Sequence, residues 1–241
     1  LAGLLLATSP SLQAEEGWFQ WRGPARTGEV AADRSWPDSL SGAHLSKVWE
    51  APLAEGYSSP ISANGKVFTV ATRGKASEAV RAFELETGKS LWESSWEGAM
   101  KVPFFAAKNG SWVRSTPSVD DGSLYVGGMR DVLVKLHPES GEEIWRVDFT
   151  EREGTEIPSF GQVCSPLLDN GALYVQAGLA VTKLNAETGE TIWRTMEDER
   201  AMFGSAFSSP ILATLAGKRQ LLVQARLSLS GVDPETGEEL W

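Results

Sequence analysis

Thr87-Gly88-Lys89-Ser90-Leu91-Trp92 returns as Ser140-Gly141-Glu142-Glu143-Ile144-Trp145, as Thr188-Gly189-Glu190-Thr191-Ile192-Trp193 and as Thr236-Gly237-Glu238-Glu239-Leu240-Trp241. The tryptophans are 53, 48 and 48 residues apart. A period near 50 residues with one turn and one large aromatic per unit marks a repeat architecture, in which each unit buries its faces only against its neighbours.

The front half of each unit also recurs. Ser59-Pro60, Thr116-Pro117 and Ser165-Pro166 each lead to a turn pair, Asn64-Gly65, Asp121-Gly122 and Asn170-Gly171. Ser209-Pro210 leads more loosely to Gly217. Asn, Asp and Gly tolerate the positive φ that a type I′ turn demands at both central residues. Each unit therefore opens strand, tight turn, strand. Two more strands follow: an apolar run (Val80–Leu85, Val132–Leu136, Val181–Leu184, Leu227–Val232), then the strand that carries the tryptophan. No long helical period interrupts them. Four short antiparallel strands per unit read as an all-β fold, a β-propeller of four-stranded blades.

Four such blades are present, and the chain reads as a fragment of a seven- or eight-bladed ring. Trp49 sits in Val48-Trp49-Glu50 with no glycine turn ahead of it. It implies a closing strand, 45–52, that completes a blade from elsewhere in the ring and removes a bare sheet edge. The expected organisation is a signal-peptide remnant at 1–14, an extension at 15–44 that carries Trp18-Phe19-Gln20-Trp21-Arg22-Gly23-Pro24, and the partial propeller at 45–241. The extension is expected to dock on the propeller's side.

With a net charge of −10 and a pI near 4.8, the chain lacks the basic surface a nucleic-acid binder needs. No segment is long and apolar enough to span a membrane as a helix. The single cysteine excludes an internal disulfide. The apolar start points to export, to a periplasmic or other extracytoplasmic place.

The repeated ending resembles the tryptophan-docking motif of pyrroloquinoline-quinone (PQQ) dehydrogenases, A-x-D-x-x-T-G-K-x-x-W. The resemblance runs from Trp49 to Trp241. The Thr/Gly/Trp core fits in each unit. The motif's Ala slot holds Ala82, Lys135, Lys183 and Gly231, its Asp slot Glu84, His137, Asn185 and Asp233, and its Lys slot Lys89, Glu142, Glu190 and Glu238. The same repeat is found in BamB-type outer-membrane assembly factors, which bind partner proteins, and in exported PQQ-like propellers. In these families each tryptophan packs between blades. That implies a structural role for Trp49, Trp92, Trp145, Trp193 and Trp241 with Gly88, Gly141, Gly189 and Gly237. The dehydrogenases' adjacent cysteine pair is missing here, because Cys164 stands alone. The resemblance therefore implies an exported, non-catalytic binding or scaffold propeller. The alternative is a PQQ-dependent dehydrogenase, and only that alternative calls for PQQ with calcium.

Candidate ligand residues come from register. The loops entering the first strands of the blades offer Tyr57, Arg114, Gln162 and Phe207, and the loops between second and third strands offer Arg73, Arg130 and Arg226. Arg130 and Arg226 each lie 15 residues ahead of a blade tryptophan. In a propeller both loop sets open on one face around the channel. Tyr57, Arg114, Gln162, Arg130 and Arg226 are thus the expected site for a small anionic ligand or an acidic segment of a protein partner. The competing reading pairs each arginine with a neighbouring Glu or Asp. Cys164 is expected to be a buried inert thiol, His137 to serve a turn, and His44 to be exposed. Asp120-Asp121 and Asp169-Asn170 fit turns better than a metal site, and no metal ligand set is assigned. The insertion Glu93–Trp112, with Phe104, Phe105 and Trp112, reads either as a contact surface or as a cover over the channel mouth.

Overall fold

The computed structural model describes residues 17–30, 38–42, 45–98, 100–120, 122–198, 200 and 207–241. The signal-peptide remnant, His44 and Asp121 lie outside the described residues. The fold is all-β, with four antiparallel sheets in chain order. The first blade comprises β1 (Ile61–Ala63), β2 (Lys66–Arg73), β3 (Ser77–Glu84) and β4 (Ser90–Glu97). The second comprises β5 (Ser118–Val119), β6 (Leu124–Gly128), β7 (Val132–Leu136) and β8 (Glu143–Asp148), and the third β9 (Leu167–Asp169), β10 (Ala172–Ala177), β11 (Ala180–Asn185) and β12 (Thr191–Thr195). The fourth holds β13 (Ile211–Leu215), β14 (Lys218–Gln224) and β15 (Leu229–Val232). Its outer edge is closed by a single bridge, Val232 to Glu239, and by the Leu240 N–H on the Gly231 carbonyl at 2.7 Å.

Local chemistry accounts for the elements. Asn64-Gly65 and Asn170-Gly171 have positive φ at both residues, as the hairpin reading requires. The fourth blade makes the same turn with Ala216-Gly217. Strands β6 and β7 are buried at every residue, whereas β8 is fully buried only at Val147. Middle strands lie between neighbouring blades and are largely apolar on both faces; outer strands meet water. The core is laminated accordingly. One cluster, around Phe68, Val80, Leu124 and Val134, lies between the first and second blades. Two more, around Tyr125 and Leu173 and around Tyr174 and Val223, repeat it between the later blades.

The tryptophans join the layers. The Trp92 indole packs near Phe68 of its own blade, 6.0 Å between centroids, and donates its N–H to the Pro138 carbonyl of the next blade at 2.9 Å. Trp145 repeats this with Tyr125 and the Glu187 carbonyl, and Trp193 with Tyr174 and the Pro234 carbonyl. Gly141 sits under the Trp92 ring at φ 74°, and a Cβ there would lie 2.5 Å from the ring. Positive φ and the ring together demand glycine.

Residues 45–52 pair with none of the four sheets, and the blade they are expected to complete is not one of these four, in which β3, β7 and β11 already carry their own fourth strands. Trp49 still docks as expected, with its N–H on the Leu85 carbonyl at 2.7 Å and its ring against Gly88. The extension does not dock on the side. Trp18 bridges to Ser62 of β1, the Phe19 carbonyl accepts the Val119 N–H of β5, and Arg26 reaches the Ser165 and Pro166 carbonyls at the start of the third blade. It thus runs along the innermost strands. Arg26 is 3% exposed, stands 5.3 Å from the Trp21 ring, and burial lowers its pKa to about 10.

Trp92→Ala and Gly141→Ala should each destabilise the protein by about 2–3 kcal/mol in urea unfolding, because both empty or overfill one wedge site. The double variant should lose less than the sum of the two, since both changes disrupt one contact.

Candidate functional site

The loops that enter the blades' first strands converge, as their register suggests. The Arg114 guanidinium stands over the Tyr57 ring, 5.8 Å from the ring centre, and donates to the Phe160 carbonyl at 2.7 Å. Tyr57 packs on Trp112 and donates its hydroxyl to the Asn109 carbonyl. Phe160 meets Phe207 at 5.3 Å and Phe105 at 6.1 Å between centroids, and Phe105 meets Phe104 edge-on. The insertion supplies Phe104 and Phe105 from a 3₁₀ turn, Phe104–Asn109, which leaves them 90% and 61% exposed. Residues from all four blades thus form one aromatic ridge.

The second loop set adjoins it. Arg226 is held by Asp198 at 2.9 Å, Arg130 lies 3.9 Å from Glu97, and Arg73 pairs with Glu93. Each has a carboxylate partner, as the competing reading expected. Arg114 differs: its donors go to carbonyls and the Met129 sulfur, and burial lowers its pKa. Gln162 is buried and, with Arg226, Asp131 and Asp198, lines a cleft of about 40 Å³. Its side-chain oxygen has no partner among the described residues. The cleft suits one or two waters and is far below the few hundred Å³ of a typical ligand pocket, about 300 Å³ or more. The five expected residues therefore divide: Tyr57 with Arg114, Gln162 with Arg226 at the cleft, and Arg130 apart with Glu97.

Sequence reading missed the groups that hold these loops. The Ser59 N–H donates to the Thr116 hydroxyl, Thr116 N–H to the Ser165 hydroxyl, and Ser165 N–H to the Ser209 hydroxyl, at 2.9–3.1 Å. The Ser/Thr before each proline thus links one blade to the preceding one. Above this rim, Glu78 accepts the Met129 N–H at 2.8 Å and the Trp96 indole N–H at 3.0 Å. Asp131 accepts the Gly178 N–H at 2.8 Å. Glu78 and Asp131 each lie 14 residues ahead of a blade tryptophan, so one spacing places two buried carboxylates across successive blade boundaries. Burial raises both pKa values to about 7, against the opposing pull of those hydrogen bonds.

Cys164 is buried, its sulfur accepts the Gln176 N–H at 3.2 Å, and burial pushes its thiol up to about 11. It has the environment expected of an inert thiol. His137 accepts the Glu139 N–H within its turn, and Asp169 pairs with Arg219. Among the described residues no group of three His, Cys, Asp or Glu could hold a metal ion, and no helix is long and apolar enough to cross a membrane.

PQQ is planar and rich in carboxylates. On the described part of this face Arg73, Arg130 and Arg226 are already paired with carboxylates, and the cleft is too small for a fused ring system. These residues do not fit PQQ, and no chemical step is derived through it.

Repeated tryptophan wedges on a four-stranded blade define a β-propeller of the PQQ-repeat class. Residues 76–241 match the family described as outer membrane protein assembly factor BamB, and the chain belongs to that family. Solved structures share the fold. BamB from Moraxella catarrhalis is 16% identical with a TM-score of 0.54, over 80% of this chain and 50% of that one. The quinohemoprotein alcohol dehydrogenase from Comamonas testosteroni is 18% identical with a TM-score of 0.64, over 93% and 40%. The quinohemoprotein alcohol dehydrogenase ADHIIG from Pseudomonas putida HK5 is 18% identical with a TM-score of 0.51, over 73% and 32%. The chain thus spans half or less of the length of each of these proteins. No curated protein sequence matches it.

Two outcomes are expected. Stability should fall as pH rises from about 4 to about 7. Glu78 and Asp131 bind protons more tightly folded (about 7) than at their ordinary 4.5 and 3.8, so their contribution is complete below pH 4 and is lost through pH 7. The loss is on the order of 1–3 kcal/mol per group, and Glu78→Gln should flatten the melting temperature against pH. Cys164 should react with a thiol reagent only at the rate of unfolding, and labelling kinetics in rising urea would show it.

Proposed function

We propose that this protein is an exported, non-catalytic propeller that binds a protein partner through the loop face around its channel. The observation that carries this is the aromatic ridge, where Phe104, Phe105 and Phe207 stay exposed although rigid blades support them. Exposed contiguous aromatics cost solvation and are kept where something covers them. The family match supports the reading, since it is to a protein described as an assembly factor. The apolar start of the chain supports export.

The second reading, a PQQ-dependent dehydrogenase, has one observation in its favour: the likeness to a quinohemoprotein alcohol dehydrogenase covers 93% of this chain. Incubating the full-length protein with PQQ and calcium, then assaying dye reduction with alcohols and sugars, separates the two. The binding reading expects no turnover above a denatured control and no shift in melting temperature. Turnover that saturates with PQQ would replace it with the enzyme.

A further inference from the structure

The stretch from Gly98 to Val119 carries Lys101, Lys108 and Arg114 and no acidic residue, in a chain whose net charge is −10. It supplies Phe104, Phe105 and Arg114 to the ridge, while Phe160 and Phe207 come from the loops that enter the third and fourth blades. Neither lysine has an ion-pair partner among the described residues, and Arg114 is spent on carbonyls. The insertion's part of the ridge thus carries exposed Phe104 and Phe105 on a segment whose charges are all positive. The neighbouring loop arginines differ, since Arg73, Arg130 and Arg226 all meet carboxylates.

We propose that the ridge of Phe104, Phe105, Phe160 and Phe207, with Arg114 at its base, docks a segment of a partner protein that presents apolar side chains beside carboxylates. The proposal rests on the binding reading above and adds where the partner sits and what chemistry it carries. The Phe rings take the apolar side chains, and the cations select acidic neighbours and speed encounter. A uniformly acidic ligand would leave the Phe rings wet, and a purely apolar one would leave the cations without counter-charges. The Arg114 fork is already half-desolvated, so an incoming carboxylate meets a cation that has lost part of its water.

The test is selection of a random peptide display library on the full-length protein, followed by titration of the synthesised consensus peptide. The expected consensus pairs aromatic or aliphatic residues with Asp or Glu. Phe104→Ser with Phe105→Ser should weaken binding at least about tenfold, with an unchanged melting curve because both rings are largely exposed. Arg114→Gln should weaken it about fivefold and reduce its salt dependence. Phe104→Ser alone, at the most exposed ring, keeps the test open if Arg114→Gln disturbs the loops. No enrichment over an unrelated control protein, a basic consensus, or peptides that bind the Phe variants unchanged would overturn the proposal. Binding to phosphatidylglycerol vesicles that is lost in the Phe variants, without a peptide consensus, would assign the ridge to a lipid surface and also overturn it. Peptides that bind away from the ridge leave the binding reading standing, whereas quinone-dependent turnover removes that reading alone.

Discussion

Each of the first three blades presses one indole against the backbone of the next, and the fold is built outward from that wedge. The indole lies between an aromatic of its own second strand and a glycine of the neighbouring turn, with its N–H on a carbonyl of that turn. A tryptophan can bury roughly 150–250 Å² and still satisfy its one polar atom. A bulkier residue at the glycine would push the blades apart at their outer edge. Since the middle strands are buried on both faces, losing that spacing would expose β6 and β7 on one side.

Polar links at other radii depend on the same spacing. At the inner rim, hydroxyls of the Ser/Thr-Pro pairs accept backbone N–H groups of the preceding blade. Further out, Lys135 and Lys183 cross the boundary to Glu187 and Glu235 and to carbonyls of the next turn. A buried ammonium is tolerated only when it is paired and hydrogen-bonded, and each of these lysines is. Glu78 and Asp131 do the same work at the loop end, at a desolvation cost seen in their raised pKa values. The extension adds a strap along the first strands through Trp18, Phe19 and Arg26. The loops above this frame hold their positions because the strands beneath them are cross-linked in several layers, which lets exposed rings be presented at little entropic cost.

The blades were legible in the sequence because their signals are local. Glycine at positive φ, Asn-Gly turns, apolar strand runs and the tryptophan period each depend on a few neighbouring residues, and all recur. The convergence of Tyr57 and Arg114 was legible for the same reason, since residues in register at a repeat share a face. Other features depend on residues far apart in the chain. Lysine in the motif's alanine slot reads as a departure from the pattern until the next blade's carbonyls and Glu187 are seen beside it. Glu78 and Asp131 share a spacing, but nothing in the sequence shows that they are buried. Arg130 and Arg226 share a position, yet their partners Glu97 and Asp198 come from other segments.

The sequence by itself therefore determined the unit: its strands, its turns, its wedge residue and the face on which its loops open. Tertiary structure alone decided which charges are cancelled and which rings stay wet, because side-chain pairing and burial are set by distances across blade boundaries. It likewise decided that Trp49 would dock on the turn of the first blade, since wedge packing needs only a glycine and a carbonyl within reach.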